Sequence, residues 1–151
     1  DDPKGGLLRC ELYKRLRSHH QYQNEKKLFP IGHRNKFSVN IYGPKRNQIE
    51  FETISNLFAP HTVDSCYCSD SLAPVEGIKN SNDDWNVAGH KDRIIIIGAA
   101  ELELFANVFD GEGTPLEEAK LPSIHAKQLI DVLTKISISI STTIYRQFVF
   151  C

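Results

Sequence analysis

Cysteine, histidine and paired carboxylates are the side chains here whose types and spacing invite chemistry. Cys66 and Cys68, with His61 five residues earlier, have the look of metal ligands. A zinc site, however, needs four ligands and usually spaces paired cysteines by two to four residues. No second pair follows, so Cys66 and Cys68 read as free thiols and no metal site is assigned. His19-His20 would point about 100° apart on a helix, which prevents them from sharing a small ion, so a structural role is expected. Asp83-Asp84 lies within the loop signal Asn80-Ser-Asn-Asp-Asp84, and Glu117-Glu118 sits where a first helical turn would welcome acids. The sequence holds no GxGxxG, GxxxxGK[ST], GxSxG, HExxH or CxxC. No catalytic residue is assigned.

The run Lys26-Lys-Leu-Phe-Pro-Ile-Gly-His-Arg-Asn-Lys36 is more informative. An aromatic beside cations at the mouth of a turn suits stacking on a base together with phosphate contact. Phe29 is therefore a candidate base-stacking residue, with a core position at a strand end as the competing reading. His33, Arg34 and Lys36 supply cations on the same turn. Lys45, Arg46, Lys91 and Arg93 are further candidates for phosphate or base contact.

Periodicity suggests the elements that hold these residues. Leu8, Leu12, Arg15, Leu16 and His19 recur at three and four, predicting a helix over 6–19. A polar strand over 21–29 is expected next. Lys36–Tyr42 alternates cleanly, with Phe37, Val39 and Ile41 on one face, predicting a half-buried strand. A third strand is expected over Ile49–Thr53. Ser55–Asp92, broken by Pro60, Pro74 and Gly77, reads as a loop-rich insertion with one helical turn near Thr62–Tyr67 and Trp85 as its anchor. Ile94–Ile97 reads as a short buried strand, and Leu102, Phe105, Val108 and Phe109 as a helical stripe ending at Asp110. Thr114-Pro115-Leu116-Glu117 is a helix-start signal. A last helix is expected over Ser123–Lys135, then a strand where Ile and Ser alternate from Ile136 to Ser141.

Composition narrows the class. With 151 residues, 40% hydrophobic and 25% charged, the chain suits one folded domain rather than a disordered or fibrous one. No stretch approaches the ~20 apolar residues of a membrane helix. No export signal is visible, so the four cysteines read as reduced cytosolic thiols and the location as cytoplasmic. A chain without methionine that opens on Asp1-Asp2-Pro3 reads as a piece of something longer. The net charge of −1 conceals a split: residues 1–46 hold 11 basic and 4 acidic side chains, and residues 47–151 hold 7 and 15. A basic third joined to an acidic remainder points to a polyanionic partner.

Several of these stretches, taken in order, resemble the closing part of adenine-N6 DNA methyltransferases. The resemblance is nearest to very large bacterial methylase subunits of restriction-modification and phage-defence systems. It is carried by Asp1-Asp2-Pro3-Lys4-Gly5-Gly6-Leu7-Leu8-Arg9, Leu28-Phe29-Pro30, Lys36-Phe-Ser-Val-Asn-Ile-Tyr-Gly43 and Phe51-x-x-Ile-x-Asn-Leu-Phe58. Pro74–Lys79, Trp85-Asn-Val-x-Gly-His-Lys-Asp-Arg93 and Leu121-Pro-x-x-His-x-x-Gln-Leu129 extend it. It covers about residues 1–135 and fails from about Ser137.

The resemblance implies an α/β fold in which 1–52 end a doubly wound methyltransferase sheet, as a helix plus a reversed β-hairpin. Residues 53–93 would form a loop-rich insertion or target-recognition region, 94–136 a strand plus helices, and 137–151 a tail of unclear status. It implies S-adenosylmethionine as cofactor of the parent protein and double-stranded DNA as partner, alongside the rest of the methylase chain and other defence subunits. It also implies an Asn-Pro-Pro-aromatic tetrad that grips an extruded adenine. Neither the cofactor turn nor the tetrad occurs here, so the segment is expected to bind no cofactor and be inactive alone. Phe29 best matches the aromatic that stacks on the extruded base. The competing expectation is a stand-alone nucleic-acid or protein interaction module without enzymatic activity.

Overall fold

The computed structural model describes residues 4–111 and 113–149, with side chains through Ile138. Helix α1 (Gly6–Tyr13) leads into strand β1 (Leu16–Gln23), and a 3-10 turn at Asn24–Lys26 opens the loop to β2 (Lys36–Tyr42). Next come β3 (Phe51–Leu57), α2 (His61–Tyr67), a 3-10 turn at Lys91–Arg93, β4 (Ile95–Ile97) and α3 (Ala99–Phe109). A further 3-10 turn at Leu116–Glu118 precedes α4 (Gln128–Val149).

The four strands form one mixed sheet in the order β2-β1-β3-β4. β1 pairs antiparallel with β2, parallel with β3, and β3 antiparallel with β4. β1 and β2 form an antiparallel ribbon, and the α/β class holds at the level of a mixed four-stranded sheet with helices.

Two core clusters cover β1, β3 and β4, whereas β2, expected as a half-buried strand, is exposed at every residue but the partly buried Phe37. Tyr13, Leu16, Phe51, Ile95, Ile97, Leu102 and Phe105 form one core cluster. Tyr22, Ile54, Leu57 and Cys66 form the other. β3 accordingly buries six of its seven residues, the pattern of a central strand between two layers. At its end Asn56 adopts a left-handed backbone, φ 56°. α1 docks on the Leu116–Glu118 turn: the Tyr13 hydroxyl donates to Ala119 O at 2.7 Å and Arg9 Nε to Glu118 O at 2.9 Å. Burial pushes the Tyr13 phenol up to about 12.

Several boundaries depart from expectation. The helix expected over 6–19 stops at Tyr13, and the strand expected over 21–29 occupies Leu16–Gln23 instead. Leu8, Leu12 and Leu16 are four apart, a spacing compatible with both a helical and a two-residue period. The buried residues Leu16, Ser18 and Tyr22 follow the two-residue period, while Leu7 and Leu8 stay 79% and 63% exposed. The third strand starts and ends later than Ile49–Thr53. Thr114-Pro115 opens only a single 3-10 turn, after which Ala119 is extended (ψ 142°). The last helix starts at Gln128, not Ser123, and runs on through the segment expected to be a strand. There, Ile136 continues the stripe of Leu129 and Val132 at helical spacing. The strand at Ile94–Ile97 is buried on one face only, since Ile96 is 56% exposed.

Candidate nucleic-acid interface

The loop that carries the basic run is organised by one side chain. Asn24 is fully buried. Its Nδ2 donates to Phe29 O and Ile31 O, both at 3.0 Å, and to Gly32 O at 3.4 Å, while its Oδ1 accepts from Phe29 N at 3.0 Å. Lys27 N donates to Asn24 O at 2.8 Å, with Lys27 itself left-handed (φ 52°). Asn35 N donates to Gly32 O, and Asn24 N to Asn35 O, both at 3.0 Å. An amide that satisfies four backbone groups fixes a loop that would otherwise be free to sample many shapes. Sequence reasoning overlooked Asn24; an Asn at the junction of a strand and a Gly/Pro-punctuated loop was the available signal.

Phe29 is presented by that frame. The residue is 52% exposed, and its ring meets the Phe37 ring edge-on at 4.8 Å. Phe37 in turn stacks on Tyr22 at 5.3 Å, nearly parallel. The outer ring of this aromatic ladder is thus supported from behind and open in front, as a stacking platform requires. His33, Arg34 and Lys36 are exposed on the same loop and strand start, and Lys36 Nζ reaches Ser123 Oγ at 3.3 Å.

The other candidate cations lie elsewhere. Lys45 and Arg46 follow the far end of β2, about 20 Å from Lys36 at roughly 3.3 Å per residue. Lys45 Nζ pairs with Glu11 at 3.2 Å and Arg46 Nη1 donates to Glu50 O at 3.3 Å. At that end Arg17, which sequence reasoning left unassigned, ties the ribbon shut: its Nη1 donates to Arg15 O and Leu16 O at 3.1 Å and its Nη2 to Pro44 O. Lys91 is exposed on its 3-10 turn. Arg93 must be removed from the contact set. It is 1% exposed, and its guanidinium donates to Ala88 O (2.8 Å), Ser55 O and Asn56 O (both 3.1 Å). A side chain so engaged holds the end of β3 and the 88–90 loop together and cannot reach phosphate.

The remaining groupings find structural places. His19 and His20 sit on a strand and so face opposite sides of the sheet. His19 Nδ1 lies 2.6 Å from Asn40 Oδ1. Burial lowers both imidazole pKa values, outweighing the Asn40 hydrogen bond at His19 and the charge of Glu52 at His20. Cys66 on α2 is buried and Cys68, just past its end, is exposed, and among the described residues no cluster of three or more His, Cys, Asp or Glu could hold a metal. Asp83, left-handed at φ 63°, pairs with Lys79 at 3.1 Å. Trp85 anchors its segment by stacking on Phe58 at 4.7 Å, with Lys79 Nζ 4.5 Å from its ring.

Gly98, between β4 and α3, has its N–H engaged by Glu101 Oε2 at 2.8 Å, one arm of a capping box whose other arm a glycine cannot supply. No family model, curated protein or solved structure matches the chain.

Proposed function

We propose that this chain is a segment of a site-specific DNA adenine-N6 methyltransferase of a restriction-modification or phage-defence system. In this reading it contributes DNA and flipped-base contacts, and the methyl-transfer machinery lies in residues preceding Asp1. The observation that carries the reading is Phe29, half-exposed on an aromatic ladder and held by Asn24 on a basic loop. Extruding a base costs a few kcal/mol of stacking, and an aromatic platform returns roughly 1–3 kcal/mol per base. His33, Arg34 and Lys36 would meet phosphates beside that base, with Lys45, Arg46 and Lys91 as more distant backbone contacts.

The edge strand supports the same reading. Among the described residues β2 has a partner on one side only, and its Val39, Ile41 and Tyr42 are 52%, 52% and 47% exposed. An unpaired, apolar edge is what remains when a larger sheet continues past it, and the rest of the methylase sheet would continue there. The alternative, a stand-alone interaction module, draws on that edge too, as a site for strand addition by a partner. The reading frame upstream of Asp1 decides between them. An in-frame Asn-Pro-Pro-aromatic tetrad supports the methylase, and an initiation codon close by removes it. Mixed with S-adenosylmethionine and adenine-containing duplex, the isolated chain is expected to transfer no methyl group; robust transfer would overturn the placement of the missing motifs.

A further inference from the structure

The end of the β1–β2 ribbon away from Phe29 gathers positive charge from two chain segments. Gly43 N donates to Arg15 O at 2.8 Å and Arg46 N to Lys14 O at 2.9 Å. The turn between α1 and β1 and the loop between β2 and β3 therefore lie side by side, and together they carry Lys14, Arg15, Arg17, Lys45 and Arg46. Acids answer only part of this charge. Glu11 pairs with Lys45 at 3.2 Å, and Glu50 lines an open depression with Arg46, Asn47 and Gln48. Lys14 and Arg15 make no ion pair among the described residues. Arg17 and Arg46 donate to carbonyl oxygens rather than to carboxylates. Desolvation, and after it the charge of Arg46, lowers the Arg17 pKa from its ordinary value, so the two guanidinium groups feel one another. Like charges assembled without matching acids raise the free energy of the free protein, and a bound anion relieves it.

We infer that Lys14, Arg15 and Arg46 form a second phosphate contact for duplex DNA, so that the duplex runs lengthwise along the ribbon and is held at both of its ends. The inference rests on the DNA-binding reading above and names how that partner lies. Spacing supports it. The seven residues of β2 separate this patch from His33, Arg34 and Lys36 by about 20 Å, or about six steps of a DNA strand at roughly 3.4 Å each. The patch is an open surface, which suits an extended polyanion better than a small phosphate. Arginine forks match phosphate oxygens two at a time, and Arg15 and Arg46 are both exposed. Arg17 is a positioning residue. Its donors hold Arg15 O, Leu16 O and Pro44 O, which fixes the two segments against each other. Gly43 leaves room for that tie, since a Cβ there would fall 2.8 Å from Arg17 Nε.

The test is fluorescence anisotropy of the full chain with two DNA hairpins, of about four and about twelve base pairs, over a range of salt. The short stem reaches one end of the ribbon at a time and the long stem reaches both. The fall of log affinity with log salt is expected to be steeper by about two to three on the long stem. Arg15→Gln combined with Arg46→Gln should remove about two of that excess and leave the short-stem slope as it was. Equal slopes on the two stems, or an excess untouched by the double variant, would overturn the inference. So would polyglutamate binding as tight as that of the long stem, which would make the patch a docking surface for acidic protein. The Phe29 reading fails separately: loss of a preference for an easily extruded adenine refutes base stacking and leaves the slope difference standing. Absence of DNA binding at low salt would overturn both.

Discussion

Asn24 and Arg93 are buried polar side chains held by backbone hydrogen bonds rather than by opposite charge. Each therefore acts as a staple for irregular chain, and truncation should expose carbonyls and amides that have no other partner. Asn24→Ala is expected to lower stability by about 2 kcal/mol, read as a fall in the denaturant midpoint, and to weaken DNA binding because Phe29 loses its frame. Arg93→Ala should cost more, about 3 kcal/mol or above, while leaving the salt dependence of DNA binding in the folded fraction unchanged. A lowered salt slope would return Arg93 to the interface. The histidines add a pH dependence. Burial lowers the pKa of His19, His20 and His125 below the ordinary 6.5, with Arg93 adding to the effect at His125. The unfolded chain then binds more protons than the folded one below pH 6.5. Stability should be at its full value above that pH and decline as pH falls from there toward the lowered folded values. Thermal melts across this window should show the decline, and His19→Gln combined with His125→Gln should flatten it.

Among the elements, those built on one unambiguous period were legible. Lys36–Tyr42 alternates over its whole length and is β2, and Leu102, Phe105 and Phe109 do lie on α3. Where the spacing was four, as at Leu8, Leu12 and Leu16, helix and strand predict the same pattern, and the pairing of β1 with both β2 and β3 decided the outcome. The Ile/Ser alternation after Ile136 is a strand pattern by period. Ile136 can equally extend an apolar helical face already begun at Leu129 and Val132, and helix prevailed. Phe29 was legible as a candidate because its type and neighbours are local. Asn24, Arg17 and the burial of Arg93 were not, since each depends on carbonyls brought close only by the fold. The packing of α2 on the 88–90 loop is of this kind: a Cβ on Gly89 would overlap the backbone of Ser65 and Cys66. Gly89→Ala is expected to destabilise the chain by at least about 2 kcal/mol, measured by chemical denaturation; a neutral result would mean that the contact yields easily.

For the molecule as a whole, the net charge of −1 is divided between a basic first third and an acidic remainder. The β1–β2 ribbon belongs to the basic part, which leaves the candidate DNA surface on one end of the sheet. Phosphate contacts there should give a linear fall of log affinity with log salt, and Arg34→Ala should reduce that slope by about one. The most direct trial of the account compares the chain's affinity for two duplexes, one fully paired and one with an adenine opposite an abasic site, which leaves the stack easily. Wild-type chain should prefer the second by roughly 5- to 100-fold, the range set by aromatic stacking on one base. Phe29→Ala should remove that preference while holding the fully paired duplex within about twofold, the phosphate contacts being untouched. Equal affinity for the two duplexes, or a preference that survives Phe29→Ala, would contradict the claim that this hairpin shelters an extruded adenine.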